Sequence, residues 1–157
     1  MGYNIPEDHH GSTPRDREQM KQAQTIWAPD NLTDVERDAW FGIMAMQRLA
    51  NETAVNAGWY KNPETGEDIE RNFGEVVALM HSELSEALEA DRKGLKDDKL
   101  QHRDGREVEF ADCIIRILDT AAALKLDVAG ALIEKNRYNR QRADHKLENR
   151  ANGGKKY

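Results

Sequence analysis

The chain has 157 residues, with 23 Lys and Arg against 29 Asp and Glu, a formal net charge of −6. That length fits one domain able to bury a core without disulfides, and Cys113, the only cysteine, has no internal partner, which suits a reducing compartment. No apolar run approaches the ~18 residues of a membrane span, and the opening Met1–Pro6 lacks the charge and apolar length of a signal peptide, so a cytoplasmic protein is expected.

Residues 1–30 are polar and broken by Pro6, Pro14 and Pro29. They read as an N-terminal arm with room for a short helix over 15–26. Adjacent His9 and His10 offer metal ligands, although such pairs in polar tails are more often unstructured. Thr33 and Glu36 form a capping box, and Val35, Ala39, Ile43, Met46 and Ala50 follow with helical spacing to about Asn56. Ala57-Gly58 stops that helix, and Trp59–Gly66 reads as a loop.

A second helix is expected from about Glu67 to Lys93, ended by Gly94, with a core stripe of Phe73, Val77, Met80, Leu84, Ala87 and Leu88. A charged loop follows. Asp104 then caps a third helix running to about Leu126. Its apolar residues cover more than half its circumference, which predicts several packing neighbours. A fourth helix starts near Asp127 and enters a basic segment. From Lys135 to Tyr157 the local charge is +6, leaving −12 on the preceding 134 residues. The expected architecture is an all-α four-helix bundle over 31–147, oligomerised through its helices, with a basic tail at 148–157.

An acidic body with a basic end does not resemble a nucleic-acid-binding domain, which is usually basic over a whole face. It suits a site that pairs acid-bound cations with a polyanion, and equally a solvated helix end. The second helix carries Glu83 and Glu86, and the third Glu109 and Asp112, each pair at i, i+3 and therefore on one side of its helix. If the two helices pack antiparallel, the four carboxylates can face one another. They would then raise each other's pKa until a cation neutralised them. Carboxylate oxygens without Cys or His select Mg²⁺ or Mn²⁺. A solvated face in a 33% charged chain would look the same. On the fourth helix Lys135, Tyr138, Asn139 and Arg142 share a face able to hold phosphate oxygens or, through Tyr138, a base.

Glu-x-x-Glu, 22 residues, Glu-x-x-Asp, then Lys-x-x-Tyr-Asn-x-x-Arg resembles the MazG-like branch of the all-α nucleoside triphosphate pyrophosphohydrolases. The likeness spans about Trp40 to Lys156. Gly58-Trp59, Arg142–Lys146 and Gly153–Tyr157 are similar to segments of short MazG-like proteins of phages and bacteria. The resemblance implies Mg²⁺ on Glu83, Glu86, Glu109 and Asp112, with Mn²⁺ as substitute, and a triphosphate on Lys135, Asn139 and Arg142. It implies hydrolysis of NTP or dNTP to monophosphate and diphosphate, with Glu83 or Glu86 handling the water. His81 and His145 are alternatives for that task. Asn51 and Trp59 are the nucleobase candidates, Trp59 being equally an interface anchor, while Trp40 is expected in the core. The implied partners are a nucleoside triphosphate and further copies of the chain, as homodimer or homotetramer, with no nucleic acid and no membrane. A base-selective phage dNTP diphosphatase (dUTP, dCTP or dGTP directed) and a non-enzymatic helical nucleotide-binding oligomer are the competing readings.

Overall fold

The computed structural model describes residues 29–143 and 146–151. The arm before Pro29, the short helix expected at 15–26, His9, His10, His145 and the tail after Ala151 lie outside the described residues. Among the described residues the secondary structure is helical, with isolated bridges at Lys61–Asp68 and Lys96–Asp104 and no strand. The helices are α1 (Asp34–Asn56), α2 (Phe73–Lys93), α3 (Gly105–Ala123), α4 (Val128–Gln141) and the short α5 (Leu147–Ala151). No described helix is long and apolar enough to cross a membrane.

Helix α1 begins where its capping box predicts. The Glu36 amide donates to Thr33 Oγ1 at 3.3 Å, and the Thr33 amide donates to Glu36 Oε2 at 3.0 Å. Glu36 has a second task, because Arg137 on α4 donates to it through Nε at 3.0 Å and Nη2 at 2.8 Å. Those bonds, helped by the Thr33 amide, hold its carboxyl down at about 2. Nearby, Trp40 packs with Ala129 and Ile133 at 2% exposure, with Phe41, Ile43 and Met44 around them. Trp40 is therefore core. Along this contact α4 runs antiparallel to α1, with Arg137 at the α1 start.

Helices α2 and α3 form an antiparallel hairpin. Gly94, at φ 62°, closes α2 in the left-handed conformation that glycine adopts without strain. Asp104 caps α3 by accepting from the Arg106 amide at 2.9 Å. The helices approach closely at the turn, where a Cβ on Gly105 would stand 2.9 Å from that of Ala90. On its other side α3 lies antiparallel to α1. Gln47 Nε2 donates to the Leu126 carbonyl at 3.1 Å, and one turn later Asn51 Nδ2 donates to Asp119 Oδ1 at 2.9 Å.

Two expectations shift. Helix α2 starts at Phe73 behind an Asn72 cap, not near Glu67. Residues 60–69 instead form a small hairpin, in which Asn62 donates to the Glu67 carbonyl at 2.8 Å and Ile69 to that of Tyr60 at 3.0 Å. Asn62 Oδ1 also accepts the Glu64 and Thr65 amides, and this local turn wins over helix propensity. The second shift is in burial. Helix α2 buries Val76, Glu83, Ala87 and Ala90, while Phe73, Leu84 and Leu88 of the expected stripe are exposed in the single chain. Helix α3 likewise leaves Phe110, Ile114 and Ile117 exposed, at i, i+4 and i+7 on one face.

Candidate metal centre

The antiparallel α2–α3 hairpin brings Glu83 and Glu86 of one arm together with Glu109 of the other. One carboxylate oxygen from each of Glu83, Glu86 and Glu109 lies within 4.8 Å of the others. Glu83 is buried, Glu109 half-buried and Glu86 exposed, so the group is anchored inside and open at one edge. Asp112 stands one turn from Glu109 as an exposed neighbour rather than a fourth member of that trio.

The crowding is visible in the proton affinities. Glu109 is pushed from its ordinary 4.5 up to about 7, first by burial, then by the charge of Glu86 and by a hydrogen bond and charge shared with Glu83. Asp112 is raised by burial and then by the Glu83 charge, against the pull of Arg116. A cation supplied to these oxygens would relieve the repulsion, and an all-oxygen donor set fits a hard divalent ion. One cation already reaches the group: Arg116 Nε donates to Glu83 Oε1 at 2.7 Å.

The Glu109 shift sets a sign for the pH dependence of stability. The folded chain holds a proton that the unfolded chain releases between about 4.5 and 7, so metal-free stability falls as pH rises through that window. In EDTA the melting temperature should be higher at pH 5 than at pH 7.5. Glu109→Gln should flatten that difference. An equally steep profile in the variant would assign the effect to other groups.

About two helical turns along α2, between Glu83 and Val76, the same seam opens into a cavity of about 400 Å³. Asn51, Val55, Tyr60, Arg71, Phe73 and Thr120 are among its lining residues. Beside it sits a polar node centred on Asp119, whose partners sequence spacing does not reveal. Asp119, 5% exposed, accepts from Asn51, from the Tyr60 hydroxyl at 2.8 Å and from Arg71 Nη1 at 3.1 Å. Burial, then the bond and charge of Asp119, raises the Tyr60 phenol, and the Arg71 guanidinium lies 5.5 Å from the Tyr60 ring centre. The available signal was an acid inside the apolar run Ile117-Leu118-Asp119-Thr120-Ala121, a position tolerated only with partners.

Of the two residues expected at a nucleobase, Asn51 lines the cavity, while Trp59 is 66% exposed and is not among its lining residues. The basic face of α4 lies elsewhere, and Arg142, expected on it, stands just past the helix end at Gln141 in extended backbone. Lys135 and Arg142 both approach the Tyr138 ring, at 4.8 and 5.9 Å, and Asn139 Oδ1 is buried without a hydrogen-bond partner among the described residues. That face sits at the α1 start, fixed by the Arg137–Glu36 pair. The acid cluster lies beyond the Asn51–Asp119 contact at the opposite end. Counting rise per residue along α1 and α3 places the two about 30 Å apart within one chain. His81 is exposed on α2.

Comparison with known protein families, with curated proteins and with solved structures finds no match for the chain.

Proposed function

We propose that the chain is a divalent-metal-dependent nucleoside triphosphate pyrophosphohydrolase, converting an NTP or dNTP and water to the monophosphate and diphosphate in the control of nucleotide pools. The observation that carries this reading is the convergence of Glu83, Glu86 and Glu109 within 4.8 Å. Mg²⁺ or Mn²⁺ held there, with Asp112 beside it, would offset phosphate charge and lower the pKa of a bound water. Glu83 offers a buried carboxylate, and Glu86 faces solvent where substrate enters. Glu83 or Glu86 would handle the attacking water.

The neighbouring cavity has the size for a base and sugar, with the triphosphate running along the seam to the acids. Phe73 and Tyr60 offer ring surfaces. The Asn51 side-chain oxygen Oδ1 makes no hydrogen bond among the described residues and can accept one from a base.

The exposed apolar residues of α2 and α3 support a homodimer or homotetramer, since faces of this extent mark interfaces. In such an assembly the α4 face of Lys135, Tyr138, Asn139 and Arg142 serves a phosphate across a subunit interface, being too distant within one chain.

The test is release of pyrophosphate against orthophosphate from the eight common NTPs and dNTPs, with Mg²⁺ and then with EDTA. Metal-dependent pyrophosphate with the matching monophosphate is expected, and the rate ranking separates a broad enzyme from a base-selective one. Nucleotide binding without turnover would favour the non-enzymatic oligomer.

A further inference from the structure

Hydrolysing a polyanion at an acidic cluster needs a positive group besides the metal, and within one chain the expected Lys and Arg face of α4 is about 30 Å away. One cation is on the spot. Arg116 lies one turn beyond Asp112 and two turns beyond Glu109 on the same side of α3. Its Nε bonds Glu83 Oε1 at 2.7 Å, while the terminal nitrogens Nη1 and Nη2 make no hydrogen bond among the described residues. The side chain remains 37% exposed where that of Glu83 is 8%.

A guanidinium can use its Nε to fix itself and its two terminal groups as a fork for phosphate oxygens. A pair held only for structural neutralisation has no need of this arrangement; a bidentate clasp on Glu83 would serve that better. We propose that Arg116 is a phosphate-binding residue of the same chain, oriented by Glu83 and aimed at the triphosphate or its diphosphate product. The assignment rests on the metal-site reading above and adds to it a residue outside the acid set.

The experiment uses inorganic pyrophosphate as probe and Mn²⁺ as ion. Mn²⁺ binding is read by electron paramagnetic resonance of the free ion, and pyrophosphate binding to the Mn²⁺-loaded chain by calorimetry. Arg116→Ala should bind Mn²⁺ as well as the wild type or better, since a competing cation is gone. It should bind pyrophosphate about tenfold or more weakly, the loss expected for a charged hydrogen-bonded contact. Arg116→Lys, which keeps charge but not the fork, should fall between. Circular dichroism confirms that each variant is folded.

Unchanged pyrophosphate binding in folded Arg116→Ala overturns the assignment. So does loss of Mn²⁺ binding in that variant, which would make Arg116 a positioning residue for Glu83 alone. Loss in Lys135→Ala but not in Arg116→Ala gives the phosphates to the α4 face of a second copy. A wild type that binds no Mn²⁺ overturns the metal reading itself, and this inference with it, and is distinguishable because it appears before any substitution is made.

Discussion

Glu86→Gln is expected to lower metal-dependent pyrophosphate release by about a hundredfold or more, with the melting temperature nearly unchanged. The size follows from the chemistry of ligands: loss of a hydrogen-bonding partner behind a metal ligand already costs roughly ten- to a hundredfold, and here the proposed ligand itself is removed. The separation from stability follows from burial. Glu86 is the exposed member of the trio, so an amide of the same shape leaves the packing of Val76, Ala87 and Ala90 untouched. Glutamine also removes a charge that raises Glu109. The variant should therefore bring the Glu109 carboxyl down, and NMR titration of that side chain gives a second readout. Wild-type turnover in Glu86→Gln would take this residue out of the site.

Asp119→Ala should be the most destabilising single change around the cavity, at about 3 kcal/mol. The carboxylate is buried and accepts three bonds from three segments: α1 through Asn51, the 60–69 hairpin through Tyr60, and Arg71 just before α2. Truncation leaves three donors without their acceptor and a largely covered guanidinium without its counter-charge, which costs more than the bonds contributed net. Asp119→Asn keeps an acceptor oxygen and should lose less. Urea unfolding measures both. An Asp119→Ala midpoint matching the wild type would show that the node is solvated and that the hairpin is held by other contacts.

Much of the framework was readable before any coordinates, because local chemistry decides it. Thr33 with Glu36, Asp104 and Gly94 mark helix ends through bonds to residues at most four positions away. The i, i+3 acid pairs needed one further assumption, that α2 and α3 turn back on each other, and a short charged connection makes that the simplest path. What sequence spacing did not reveal depends on long-range partners. Asp119 is defined by residues 48, 59 and 68 positions away, and Arg116 by one 33 positions away. Periodicity ranks residues by apolarity, and so placed Leu84 and Leu88 in the core. In one chain the hairpin seam instead takes the small Ala87 and Ala90 with the carboxylate of Glu83. The α4 basic face was legible as a face. Its location was not, because direction along α1 is set by the Glu36–Arg137 lock, a contact between residues 101 positions apart.

The seam between α2 and α3 has a consequence for how the acid cluster can vary. Where Gly105 meets Ala90, even one methyl group has no room, and Ala87 continues the line of small residues toward Glu83. The gap between the helices is thus set by absent side-chain volume, and that gap fixes how far each glutamate must reach. The gauge of the proposed ion site is held by residues with no chemistry of their own. A larger residue at 87, 90 or 105 would act as a wedge, prising the carboxylates apart while leaving every one of them in place. Conversely, in the proposed site, changing the spacers instead of the ligands would shift the preference between a smaller and a larger ion.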